Sequence, residues 1–176
     1  MSGSTNNSRC LGPGLGWMAP AREADAGEVL ALYRSLIGTP GATWNEYYPG
    51  PEDVAADIAR GSLWCLRGED GTLWGAASAG EDDADIRALD CWTPAQSSCE
   101  LSRVGVRQSL QGKGLAGAMV RFLMEESARQ GRDWMRLLVS RDNPGALRVY
   151  QRMGFTDVGS CEMYGVCWRC QEKRLG

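Results

Sequence analysis

Residues 100–140, ELSRVGVRQSLQGKGLAGAMVRFLMEESARQGRDWMRLLVS, constrain the fold more than any other stretch. They read as a strand, a glycine-rich turn, one long amphipathic helix and a second strand. The helix is expected from about Gln111 to Arg129. Gly131 is its natural stop, because glycine takes the left-handed conformation that closes helices. WMRLLVS is a buried-type strand. A helix between two such strands has to lie across a sheet.

The flanking segments extend the pattern. WMAPARE, from Trp17, is a short strand, and ADAGEVLALYRSL has apolar residues at helical spacing. GTPGATWNEYYPG is a loop, and Pro51 fits the first position of a second helix, PEDVAADIARG. SLWCLRGEDGTLWGAASAG gives two strands around a turn. EDDADIRALDCWTPAQSS is a polar connection, with room for a short strand at IRALDCW. In CELSRVGV, regular alternation puts Glu100, Ser102 and Val104 on one face and Leu101, Arg103 and Gly105 on the other. Asn143 caps a helix that starts at Pro144 and ends at Gly154. FTDVGSCEMYGVCWRCQEK supplies the last one or two strands. The result is an α/β (α+β sandwich) fold, a mixed central sheet with helices on both faces. One domain is expected over 17–176. Residues 1–16, polar and Gly-rich, read as a disordered tail or a cloning remnant and not as a targeting signal.

Several functions are excluded. The chain has no histidine, so neither a Ser-His or Cys-His nucleophilic pair nor a His-containing metal site can be built. The seven cysteines are odd in number and irregularly spaced, which suits reduced thiols used as small apolar residues. Cys167 and Cys170 sit three apart in a strand-like run and face opposite sides. No metal is therefore expected. No apolar run approaches a membrane span, and a cytoplasmic protein that binds neither nucleic acid nor membrane, as monomer or homodimer, is the default. Charge is uneven: residues 1–100 carry 6 basic and 15 acidic side chains, residues 101–152 carry 10 and 4. That division suits a polyanionic ligand on one side and a cationic one on the other.

Gly112-Lys-Gly114-Leu-Ala-Gly117 has the spacing of a dinucleotide fingerprint, in the wrong context. That fingerprint follows its strand directly, and an acidic residue ends the next strand. Here five residues separate Val106 from Gly112, and WMRLLVS is followed by Arg141. A mononucleotide P-loop also fails, since Gly114 stands where its hydroxyl residue belongs. What remains is a helix N-terminus with unobstructed amides, which binds anionic oxygens.

The frame Gln111-Gly-Lys-Gly114-Leu-Ala116, after ELSRVGV and before NPGALRVYQRMGF, resembles the GNAT superfamily of acyl-CoA-dependent N-acetyltransferases. The resemblance runs from about Trp17 to Lys173, is weak before residue 98, and is to small bacterial members. It implies that acetyl-CoA is the acyl donor and that its pyrophosphate rests on the amides of Gln111, Gly112, Lys113, Gly114, Leu115 and Ala116. Arg107 and Arg148 could join Lys113 at the phosphates. The pantetheine arm would pair like an added strand with Val104, Gly105 and Val106, which requires a bulge or splay; Gly105 is the residue that could mark it. Asn143 would touch the same arm.

Amide formation from a thioester requires a neutral amine, so a base must take a proton. Glu100 matches the position of the catalytic Glu in histone-acetylating relatives; water and a purely ordering role are its rivals. A free N–H at Val104 would hold the oxyanion. By the resemblance Tyr150 protonates the departing thiolate; a core aromatic is its alternative role. Cys99, next to Glu100, raises a covalent relay that the direct mechanism does not need. Trp44, Glu46, Tyr47 and Tyr48 offer aromatic and acidic walls for a cationic amine, while Glu81, Asp82, Asp83 and Asp85 suit a solvated loop. The reading is an acetyltransferase acting on a small primary amine by direct attack in a ternary complex. A protein N-terminal or lysine acetyltransferase, a non-catalytic CoA-binding module and a dinucleotide-binding oxidoreductase are the alternatives.

Overall fold

The structure is a computed structural model that describes residues 7–176. Eight strands form one sheet: β1 (Arg9–Cys10), β2 (Trp17–Pro20), β3 (Leu63–Arg67), β4 (Leu73–Gly80), β5 (Ser98–Val106), β6 (Trp134–Ser140), β7 (Thr156–Met163) and β8 (Val166–Arg174). Their order is β1-β2-β3-β4-β5-β6-β8-β7, and every pair is antiparallel except β5–β6. The helices are α1 (Ala26–Ser35), α2 (Pro51–Ala59), the short α3 (Ala84–Arg87), α4 (Leu115–Arg129) and α5 (Pro144–Arg152).

Two hydrophobic cores lie on the two faces of the sheet. β3 shows how: Leu63 and Cys65 pack with Val29, Leu32 and Tyr33 of α1 and Val54 of α2. Trp64 and Leu66 point the other way, toward Met119, Val120, Phe122 and Leu123 of α4. Both faces are covered, so the strand is apolar throughout. Helix α5 adds Tyr150 to the α4 side. The parallel pair β5–β6 is joined through α4, the crossover that parallel neighbours require.

Three expectations are corrected. The segment IRALDCW forms no strand; α3 covers Ala84–Arg87 and turns follow. Its polar neighbours hold it in a helical turn and tie it to the sheet by side chains. Helix α4 starts at Leu115 rather than Gln111, because Gly112 and Gly114 have φ of 80° and 79°, outside helical geometry. Within the expected tail, residues 1–6 lie outside the described residues, but Arg9–Cys10 pairs with Trp17–Met18. The Arg9 guanidinium reaches Glu125 at 2.5 Å and stacks over the Phe122 ring, which anchors the strand to α4.

The connection from α3 to β5 is held by a buried polar network. Arg136 on β6 donates to Asp82 and to Ser98, each at 3.0 Å, and to the Thr93 carbonyl at 2.9 Å. Asp82 and Arg136 are both buried, so Asp82 is no part of a solvated acidic loop. Glu172 on β8 accepts from the Thr93 amide and hydroxyl. Removing one partner of a buried ion pair strands the other charge. Asp82→Ala should therefore cost about 3–5 kcal/mol in urea unfolding; a loss below about 1 kcal/mol would mean that Arg136 finds water instead.

Candidate active site

Strand β5 departs from its parallel neighbour almost at once. Ser98, Cys99 and Glu100 pair with Trp134, Met135 and Arg136. Beyond them β6 stays with β8 up to Ser140. A wedge opens between the strands, with the Glu100–Arg136 pair at its apex. On its other side β5 carries a bulge: Ser102 faces Ser78 and Gly105 faces Ala76, so Arg103 and Val104 together oppose Ala77. Neither of the two has a ladder partner in β4 or in β6. Arg103 takes φ of 50°, a region disfavoured for any residue with a Cβ.

The bulge cancels one alternation. Arg103 joins Glu100 and Ser102 on the α1–α2 face, bonding Asp57 of α2. Val104 packs instead toward the α4 core. Gly105 is not the bulge residue. A Cβ there would meet Leu36 at 3.0 Å and Trp44 at 3.2 Å, so it is the close approach of α1 and its following loop that demands glycine.

A short turn leads from β5 into the glycine loop. The Gln111 side-chain amide donates to the Val106 carbonyl at 3.1 Å and pins the loop to the strand end. Among the described residues, nothing lies within 4 Å of a Cβ added at Gly112 or Gly114. Their need for glycine is conformational, and the approach to the helix N-terminus is open. Gly114 is the N-cap of α4, so the amides of the first turn have no intrahelical acceptor. The aligned peptides of this 15-residue helix add positive potential there. Lys113 is exposed beside them, and Leu115 and Ala116 turn their side chains into the core. Gly117 lies outside this set; its Cβ would sit 3.6 Å from Met153, a helix-packing contact. Arg107 is spent on the Leu73 carbonyl, at 2.9–3.1 Å, and Arg148 is exposed.

Asn143 caps α5 through the Ala146 amide at 3.1 Å. Gly41, in the loop after α1, crosses so close to Asn143 that a Cβ would meet its Cγ at 2.8 Å. Tyr150 is buried edge-to-face on Phe155, at 5.7 Å between ring centres. Burial pushes its hydroxyl up to about 12, so the phenol keeps its proton at neutral pH. Cys99 faces the opposite side from Glu100, into the α4 core, and burial pushes its thiol up to about 11. That placement removes it as a relay.

Glu100 is partly buried on the α1–α2 face. It lines a narrow polar crevice of about 10 Å³ with Ser78, Ser102, Asp57, Arg60 and Asp83, a space on the order of one water molecule. Its carboxyl is raised from the usual value to about 7, chiefly by burial. The Asp83 amide, at 3.2 Å, and Arg103 oppose that shift, while Asp83 and Asp82 reinforce it. A carboxylate poised near neutrality suits proton abstraction at physiological pH.

Of the four residues predicted for the acceptor, two join this site. Trp44 packs edge-on against Tyr33 at 4.9 Å and covers Gly105. The Tyr48 hydroxyl accepts from Arg103 at 2.9 Å. Glu46 and Tyr47 point into solvent, Tyr47 being 81% exposed. Sequence reasoning missed Asp57, although it follows Val54 by one helical turn on the buried face of α2. A carboxylate on an apolar stripe is a signal of a buried partner.

Comparison with known proteins gives this arrangement its class. Residues 29–155 match the acetyltransferase (GNAT) family. The L-methionine sulfoximine/L-methionine sulfone acetyltransferase of Pseudomonas aeruginosa is 26% identical over 147 residues, covering 81% of each chain. Among solved structures, a GNAT-family acetyltransferase of Listeria monocytogenes superposes with a TM-score of 0.74 at 20% identity, over 93% of this chain and 98% of that one. The Salmonella typhimurium protein yncA, solved with its cofactor acetyl-CoA, superposes with a TM-score of 0.70 at 22% identity, over 90% of this chain and 93% of that one. The chain belongs to the GNAT acetyltransferase family and is an acyltransferase enzyme.

The Glu100 carboxyl binds its proton more tightly folded than unfolded. Its contribution to stability is therefore full below the usual Glu range and is lost as pH rises through about 7. Glu100→Gln should be more stable than the parent at pH 8 by roughly 5–10 °C in Tm, and most of the gap should close by pH 5. An equal gap at both pH values would contradict the raised carboxyl.

Proposed function

We propose that the protein transfers the acetyl group of acetyl-CoA to a small cationic primary amine, by direct attack within a ternary complex. The observation that carries this reading is the wedge between β5 and β6, which opens beside the Gly112–Gly114 loop. An extended, amide-rich arm fits the unpaired side of β5 at Val104, Gly105 and Val106. A pyrophosphate fits the amides of Gly112 to Ala116, with open space where a Cβ would stand at Gly112 and Gly114; the expected Gln111 amide is instead taken by the Gln108 carbonyl at 3.2 Å. Asn143 stands at the end of β6, where it can hydrogen-bond the arm.

In this reading the amine enters from the α1–α2 face, with Trp44 and Tyr48 as its walls and Glu46 and Tyr47 on the outer rim. Glu100 takes the ammonium proton, directly or through a water in the crevice. The neutral amine attacks the thioester carbonyl, whose oxygen gains negative charge against the Val104 N–H. The carbon–sulfur bond then breaks, Tyr150 gives its proton to the leaving thiolate, and the second proton, shed from nitrogen as the amide forms, passes to solvent, from which Tyr150 is reprotonated. The crevice has more acids than bases, with Asp57, Glu81, Asp83 and Glu100 against Arg60 and Arg103. That balance favours a cationic acceptor. The relative named for methionine sulfoximine and methionine sulfone supports a small molecule over a protein chain.

The test is acetyl transfer from acetyl-CoA to a panel of small amines, amino acids, N-terminal peptides and lysine peptides, read by mass spectrometry. Acetylation of small cationic amines is expected. Acetylation of peptides alone would replace the acceptor class, and the absence of CoA release with every acceptor in the panel would favour a binding module. With the best acceptor, Tyr150→Phe should lower kcat by about one to two orders of magnitude and leave acetyl-CoA affinity nearly unchanged. An unchanged kcat would make Tyr150 a core residue only.

A further inference from the structure

We propose that Asp57 and Arg103 form a clamp that holds β5 in its bulged state, which makes both of them positioning residues for acyl transfer. The inference rests on the acyl-transfer reading of the wedge. Arg103 has φ of 50° without being glycine, so its conformation has to be imposed by surroundings. The imposing contact is a two-pronged ion pair. Arg103 Nε donates to Asp57 Oδ2 at 2.7 Å, and Nη2 donates to Oδ1 at 2.8 Å. The third nitrogen, Nη1, donates to the Tyr48 hydroxyl at 2.9 Å. The Asp57 side chain is 3% exposed and that of Arg103 11%, so water screens the pair little.

Asp57 is bonded on both sides of the bulge. Its Oδ2 also accepts from the Ser78 hydroxyl at 2.6 Å. Ser78 is the β4 residue that pairs with Ser102, immediately before the ladder breaks. One carboxylate on α2 therefore staples β4 to the displaced guanidinium of β5. If Arg103 relaxed to extended geometry, residues 103 and 104 could no longer share Ala77 as their single opposite. Val104 would turn, and its N–H would leave the place where the carbonyl oxygen gains charge. The clamp thus acts through the backbone of Val104 and does not itself touch the reacting atoms. Through Tyr48, the same guanidinium fixes one wall of the acceptor site.

Glycine accepts positive φ without strain and alanine does not, which separates a conformational role from a merely electrostatic one. With Asp57→Asn present in both, so that no buried carboxylate is left unpaired, Arg103→Gly should exceed Arg103→Ala in kcat by at least about tenfold, with similar KM for acetyl-CoA. Asp57→Asn alone, which loses the charge and one of the two oxygens that accept from Arg103, should lower kcat by about threefold to tenfold. Amide hydrogen exchange supplies a readout that needs no activity. The Val104 amide should exchange freely in the parent and in the Gly double variant, and become protected in the Ala double variant. Equal kcat in the two double variants, or an unchanged kcat in Asp57→Asn, overturns the clamp. So does a Val104 amide equally open in all of them. If the parent acetylates no amine, the acyl-transfer reading fails and the exchange arm alone decides the clamp. If the Ala double variant does not fold, Asp57→Asn decides it.

Discussion

The break between β5 and β6 is the constraint on which the rest of the molecule depends. A sheet opened in its middle exposes backbone groups that would otherwise bond each other, and buried groups of that kind are costly unless they find partners. Each neighbouring feature answers that problem. At the apex, Arg136, Asp82, Ser98 and Thr93 lock the last paired residues together. On the α1–α2 face, Asp57 and Arg103 hold the bulge, and Trp44 and Leu36 close over Gly105. At the open end, Gln111 secures the Val106 carbonyl and turns the chain into α4.

These devices also divide the chemistry between the two faces. Glu100 and the acidic crevice lie with α1 and α2. The glycine loop, α4 and Tyr150 lie with the larger core. In the proposed reaction, a polyanionic donor and a cationic acceptor approach from different sides and meet in the wedge. The uneven charge along the chain, acidic before β5 and basic after it, follows this division.

The parts of the fold that depend on local pattern were legible in the sequence. The apolar spacing of α4, the Asn143-Pro144 start of α5 and the two strand-like runs on either side of the turn at 68–71 correspond to observed elements. The parts set by distant contacts were not. Nothing near Arg103 in sequence marks it for positive φ, because the cause is Asp57, 46 residues earlier. Gly105 drew attention as a glycine in a strand, yet its reason is the packing of α1 and Trp44. Asp82 looked like one of several solvated acids, and only Arg136, 54 residues later, makes it a buried partner. Arg107 looked free to meet a phosphate, and the Leu73 carbonyl takes it. The short strand at Arg9–Cys10 was hidden by a polar, glycine-rich context.

The proposed acyl-CoA site consists of the wedge and the loop at Gly112–Gly114. Calorimetric titration with acetyl-CoA, and separately with NAD, tests it most directly, on the parent and on Gly114→Asp. The parent should bind acetyl-CoA one-to-one and NAD not at all. The variant should lose acetyl-CoA binding, because a carboxylate at a strained φ would stand at the helix N-terminus. Binding of NAD alone, or undiminished acetyl-CoA binding by Gly114→Asp, would contradict the proposed site.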